Sequence, residues 1–223
     1  SIYVTGETEG DLGGQINSGS GDALISKYNS DGSKQWTKLL GTSLYDYGRS
    51  ISTTDDGSVY VTGQTFGDLG GQINSGSGDA FISKFNSDGS EQWTQLLGTS
   101  SWDQGYSIST SDDGSVYITG NTGSDLDGQS NSGSSDAFIS KYNSDGSKQW
   151  TQLLGTSSWD QGYSISTSDD GSIYITGYTT GDLDEQINSG DRDVFISKFN
   201  SDGSKHWTQL LGTATWDEGY SIS

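Results

Sequence analysis

Large apolar and small polar residues alternate in short runs along this chain, and the runs return every 57 residues. Tyr-Ser-Ile-Ser-Thr at 106–110 alternates large and small, and Val-Tyr-Ile-Thr-Gly at 116–120 is rich in β-branched and aromatic residues. Ala-Phe-Ile-Ser-Lys at 137–141 and Gln-Trp-Thr-Gln-Leu at 149–153 read as the third and fourth strands of the unit. Ser111-Asp-Asp-Gly and Ser144-Asp-Gly-Ser are turn signals between neighbouring runs, and a long Gly/Asn/Ser loop joins the second run to the third. Four short strands per unit, linked in sequence, predict an antiparallel blade. Tyr3, Tyr60, Tyr117 and Tyr174 hold the same place in four successive units. Radial repetition of such blades predicts an all-β chain with the propeller architecture, which typically has ~4–8 blades.

The two ends fall at the same point of the repeat. The chain opens on Ser1-Ile-Tyr-Val-Thr-Gly and closes on Ser221-Ile-Ser223, five residues short of four periods. Those five correspond to Thr53–Gly57, the turn between two strands. An open array needs atypical capping repeats, and none is visible, so a closed four-bladed ring is expected. Tyr220–Ser223 would pair with Ile2–Gly6 and remove a free edge. The single domain 1–223 would then have blades at 1–47 with 220–223, at 48–104, at 105–161 and at 162–219. A monomeric ring is the expected state, with a larger ring formed by dimerisation as the alternative. The start inside a strand pattern suggests a processed or excised region.

Three stretches, Val-Tyr-Ile-Thr-Gly-Asn-Thr at 116–122, Asp-Ala-Phe-Ile-Ser-Lys-Tyr-Asn-Ser-Asp-Gly at 136–146 and Trp-Thr-Gln-Leu-Leu-Gly at 150–155, resemble the bacterial SBBP-type β-propeller repeat family. The resemblance extends over all four units. It implies the strand order from axis to rim, with Tyr-Ser-Ile-Ser innermost and Gln-Trp-Thr-Gln-Leu outermost. It also implies a secreted or cell-surface bacterial protein, and its usual rings are larger than four blades.

Thirty acidic residues stand against ten basic ones. Nucleic acids and anionic lipids both require a basic face, so neither is an expected partner. There is no cysteine, hence no disulfide and no thiol nucleophile. No run is long and apolar enough to insert in a membrane, and no signal-peptide pattern opens the chain. Low apolar content could suggest disorder, but the apolar residues recur at fixed offsets and read as a folded core.

Two sets of tryptophans differ in context. Trp36, Trp93, Trp150 and Trp207 lie within the outer strand of every unit and are expected to pack between blades. Trp102, Trp159 and Trp216, with Tyr45 as the fourth member, lie in the blade-to-blade connection, each followed by Asp103, Asp160, Asp217 or Asp46. An aromatic plane stacks on the C–H face of a sugar while a carboxylate accepts from its hydroxyls, so these eight residues are the candidate ligand site. The opposing reading makes the ring a plug between blades and the Asp a turn holder. The same four aspartates precede the inner strand and would form a metal ring at the axis, with calcium as the fitting cation. No cofactor is otherwise required. The Asp55-Asp56-Gly57 and Asn29–Gly32 turns lack the further ligands of an EF-hand and read as Asx turns. Arg192 is private to the last unit, and His206 replaces a Gln found at 35, 92 and 149. The units have barely diverged, whereas an active site needs one asymmetric constellation, so no enzyme is expected. A non-catalytic multivalent binding module is expected instead, directed at surface or matrix glycans. The alternative is a structural or adhesive surface element without a ligand.

Overall fold

The computed structural model describes all 223 residues, and its regular structure is entirely β. The first sheet has three strands, β1 (Ile2–Thr8), β2 (Asp22–Tyr28) and β3 (Lys34–Leu40). Three four-stranded sheets follow. The second sheet holds β4 (Asp46–Thr53), β5 (Val59–Thr65), β6 (Asp79–Phe85) and β7 (Glu91–Leu97). The third holds β8 (Asp103–Thr110), β9 (Val116–Thr122), β10 (Asp136–Tyr142) and β11 (Lys148–Leu154). The fourth holds β12 (Asp160–Thr167), β13 (Ile173–Thr179), β14 (Asp193–Phe199) and β15 (Lys205–Leu211). Strands neighbour one another in chain order, as up-and-down blades require.

The turns form for local reasons. Asn29 N–H bonds to Ser33 O at 2.9 Å, Gly32 takes φ of 83°, and Asp31 Oδ1 accepts from Ser33 N–H. Asp56 Oδ1 likewise accepts from Thr54 Oγ1 at 2.6 Å and Ser58 N–H at 2.9 Å. These are the Asx turns anticipated from sequence.

The chain forms two compact units, Ser1–Gly105 and Tyr106–Ser223. In the first, Ile25, Val59, Val61, Leu69, Phe81 and Phe85 make the core, so apolar faces of two successive blades bury one another. The second repeats this with Ile139, Ile165, Ile173, Ile175, Phe195 and Phe199. The second strand of a blade lies deepest: every residue of β5 and of β9 is buried. Trp36 and Trp150 carry the inter-blade packing expected of them. Trp36 Nε1 donates to Ser87 O at 3.1 Å and Trp150 Nε1 to Ser201 O at 3.3 Å, each on the next blade's turn. Trp150→Phe removes that bond and should lower unfolding free energy by about 1 kcal/mol in urea titration.

The expected closure of the ends is not formed. β1 pairs with β2 alone, the first sheet lacks an inner strand, and Tyr220–Ser223 belongs to no strand. The C-terminal segment lies along the fourth sheet. Gly219 N–H bonds to Gly177 O at 3.1 Å, and Ile222 N–H bonds to Ser164 Oγ at 3.2 Å. Gly219 meets Thr176 as Gly162 meets Thr119: in both, an added Cβ would fall 2.4 Å from the threonine Oγ1. The segment therefore follows the contact rule by which each inner strand leans on the preceding blade.

Candidate functional site

Where one blade hands over to the next, the end of the long loop runs beside the connection as an isolated parallel bridge. The four bridges are Gly21 with Tyr45, Gly78 with Trp102, Ser135 with Trp159, and Arg192 with Trp216. This register decides which way the paired residues of the sequence motif point. The aromatic turns outward: Tyr45 is 44% exposed, Trp102 50%, Trp159 51% and Trp216 66%. The following aspartate turns inward, and Asp46, Asp103 and Asp160 are fully buried. Its Oδ2 holds the connection by accepting from a threonine four residues earlier. Thr156 N–H reaches Asp160 at 2.6 Å and Thr156 Oγ1 at 2.9 Å, and Asp46, Asp103 and Asp217 are held by Thr42, Thr99 and Thr213 in the same way.

A second aspartate shares each turn and was not singled out from sequence. Asp22, Asp79, Asp136 and Asp193 open the third strand of their units and are buried too. Asp136 Oδ2 accepts from Ser132 N–H at 2.9 Å, and its carboxyl lies against Gly155, where an added Cβ would come within 2.3 Å of Oδ1. Burial, reinforced by the carboxylate of Asp160, raises Asp136 above the ordinary carboxylate value, and burial with Asp103 nearby raises Asp79. Asp46 and Asp160 are raised by burial against the opposing hydrogen bonds of their threonines. No group of three or more His, Cys, Asp or Glu side chains is gathered as a metal-binding cluster. Each carboxylate works inside its own connection. His206 is exposed on β15, away from these residues in the strand order.

The outward rings join others into aromatic seams. In the first unit Tyr45 stacks on Tyr47 (5.9 Å, 8°), Tyr47 meets Phe66 edge-on at 6.0 Å, and Phe66 meets Trp102 edge-on at 5.4 Å. Arg49 lies over Tyr47, 5.2 Å from the ring centroid. In the second unit Tyr163 contacts Tyr106, Tyr178 and Tyr220 at 5.3–5.7 Å. Arg192 lies 4.3 Å from the centroids of both Tyr178 and Trp216, and it is ion-paired with Glu218. Sequence reasoning found the outer rings and missed Tyr47, Phe66 and Tyr178. The available signal was divergence: Tyr178 stands where the other units have Glu7, Gln64 and Asn121, and Glu218 where they have Tyr47, Gln104 and Gln161.

At the short-turn end of the second unit, the Thr110–Asp113 and Thr167–Gly171 turns wall a cavity of 390 Å³. Asp113 and Asp170 there are committed to their own turns. Ser168 and Ser172 hold Asp170 down to about 2, and Ser111 and Ser115 lower Asp113.

The SBBP β-propeller repeat model matches three times, at residues 35–70, 92–127 and 149–184. A regulatory protein FlaEY of Caulobacter vibrioides is 32% identical over 224 residues, a span that takes in 97% of this chain and 18% of that protein. A crystal structure of a protein of unknown function from Bacteroides caccae covers 87% of the chain at 10% identity, with a TM-score of 0.27.

Proposed function

We propose that this chain, three of whose segments are SBBP β-propeller repeats, is a non-catalytic binding module acting through the aromatic seams at its blade connections. One observation carries the reading. In every repeat the same bridge position sends a large ring into solvent, and in the first three the residue after it is fully buried. An exposed, recurring apolar surface of that kind marks recognition, and repetition converts weak single contacts into avidity. The reading requires no cofactor. It suits a repeat segment of a larger protein, since the chain spans 18% of its regulatory relative, and a place at a bacterial surface or matrix is part of the same proposal. Stacking on a sugar face fits the half-exposed indoles. The carboxylate half of such a site is not offered to solvent, because Asp46, Asp103 and Asp160 are buried.

A second reading, a structural or adhesive element without a ligand, is favoured by the contacts that the rings of the first unit make with one another. Trp102→Ala separates the two. A binding ring that is half in solvent should cost about 1 kcal/mol of stability and most of the ligand affinity. A plug between blades should cost about 3–5 kcal/mol, read by thermal and urea unfolding, and that outcome would end the binding reading.

A further inference from the structure

The chain has only two arginines, and both lie on rings of the seams. Arg192 fills the space between Tyr178 and Trp216, with Glu218 closing the guanidinium from the side. Its counterparts are Gly21, Gly78 and Ser135, none long enough to reach the neighbouring ring. Trp102, which meets Phe66 edge-on, and Trp159 have no arginine at that position and keep about half of each residue in solvent.

We propose that Trp102 and Trp159 bind arginine side chains of a basic peptide segment on a partner, in the manner in which Arg192 occupies Trp216 within the chain. This rests on the reading of the exposed rings as binding elements and names their ligand. The face of an indole is electron-rich and attracts a cation, and guanidinium adds planar stacking that an ammonium lacks. Gln104 and Gln161 stand where Glu218 does, so neither position holds a cation that would repel an incoming guanidinium. Thr180 fixes the Trp159 backbone, its Oγ1 accepting from Trp159 N–H at 2.8 Å. A net charge of −20 draws basic segments in and repels acidic ones.

The test is titration of the whole chain with hexa-arginine, hexa-lysine and a neutral gluco-oligosaccharide at 0.15 M salt, followed by tryptophan fluorescence and calorimetry. Hexa-arginine should bind at least tenfold more tightly than hexa-lysine. Trp102→Leu with Trp159→Leu should remove at least tenfold of that affinity while circular dichroism stays unchanged. Arg192→Ala should free Trp216 and enlarge the fluorescence response to hexa-arginine. Equal binding of both peptides, indifferent to the tryptophans, would mean attraction by bulk charge only and would overturn the proposal. Oligosaccharide binding that depends on the tryptophans, without hexa-arginine binding, would overturn it and leave the module reading standing. No response to any of the three would sink both.

Discussion

Gly63→Ala should cost about 3 kcal/mol, at the upper end of overpacking penalties, whereas Gly6→Ala should be close to neutral. The two glycines are equivalent positions of β5 and β1 and differ only in what lies across from them. At Gly63 an added Cβ would fall 1.7 Å from Tyr47 O and 2.9 Å from Phe81 Cε1, because β4 crosses there with a bulge between Gly48 and Ser50. Gly177 on β13 is equally crowded, 1.7 Å from Gln161 O. At Gly6 the nearest atom is Leu24 Cδ2 at 3.9 Å, since no inner strand covers β1. Urea unfolding of the two variants therefore measures the occupancy of that edge in solution. A penalty at Gly6 equal to that at Gly63 would show that a strand covers β1, contrary to the structure.

Asp160→Ala should destabilise by about 1–3 kcal/mol, because it orphans the buried Thr156 N–H. Asp160→Asn keeps an acceptor and should cost much less. The pair also has a pH signature. Burial raises the folded-state values of Asp46, Asp79, Asp136 and Asp160 above the ordinary 3.8, so at pH values between the two the folded chain binds protons that the unfolded chain does not. Stability should therefore rise as pH falls from neutral through the raised values. Asp56 and Asp170 act in the opposite sense. Their serine and threonine partners hold them near 2, so their contribution is lost as pH falls below 3.8. Both carboxyls lie near the surface, and solvent screening makes this acid loss the smaller effect. The expected optimum lies on the acid side of neutrality, and Asp160→Asn should flatten the arm between neutral and mildly acid pH. A stability maximum at or above pH 7 would contradict the buried-pair account.

The blade was legible because its information is local. Alternation fixes strand faces, and Asn-Ser-Asp-Gly fixes the turn through Asp31 and Gly32. The period located equivalent residues, and Trp36 and Trp150 pack where the outer strand placed them. Closure did not follow from the pattern: Gly219 and Ile222 make the contacts to the preceding blade that the inner strands make, but no ladder to β1 accompanies them. At the connection, adjacency in sequence suggested that Trp159 and Asp160 act together. Successive residues of an extended segment point to opposite sides, and the bridge to Ser135 sends the ring out and the carboxyl in. The partner carboxylate, Asp136, is 24 residues away in sequence and is brought beside Asp160 only by that bridge. Tyr178, Arg192 and Glu218 are separated in the same way, and their joint departure from the other units was the one trace of their contact.

β8 and β12 have the same sequence, Asp-Gln-Gly-Tyr-Ser-Ile-Ser-Thr, and the strands they border, β9 and β13, differ only at their first and sixth residues. A strand docked one full period out of place would keep every inward and outward side chain correct, so packing alone scarcely penalises the error. Selection against it falls to the length of chain that must be looped out, and loop entropy grows only slowly with length. Refolding is then a sorting problem among near-degenerate pairings, with misassembled and exchanged species as its natural by-products. Contacts owned by a single repeat, such as Arg192 with Tyr178, Trp216 and Glu218, give the last blade an address that its neighbours do not share.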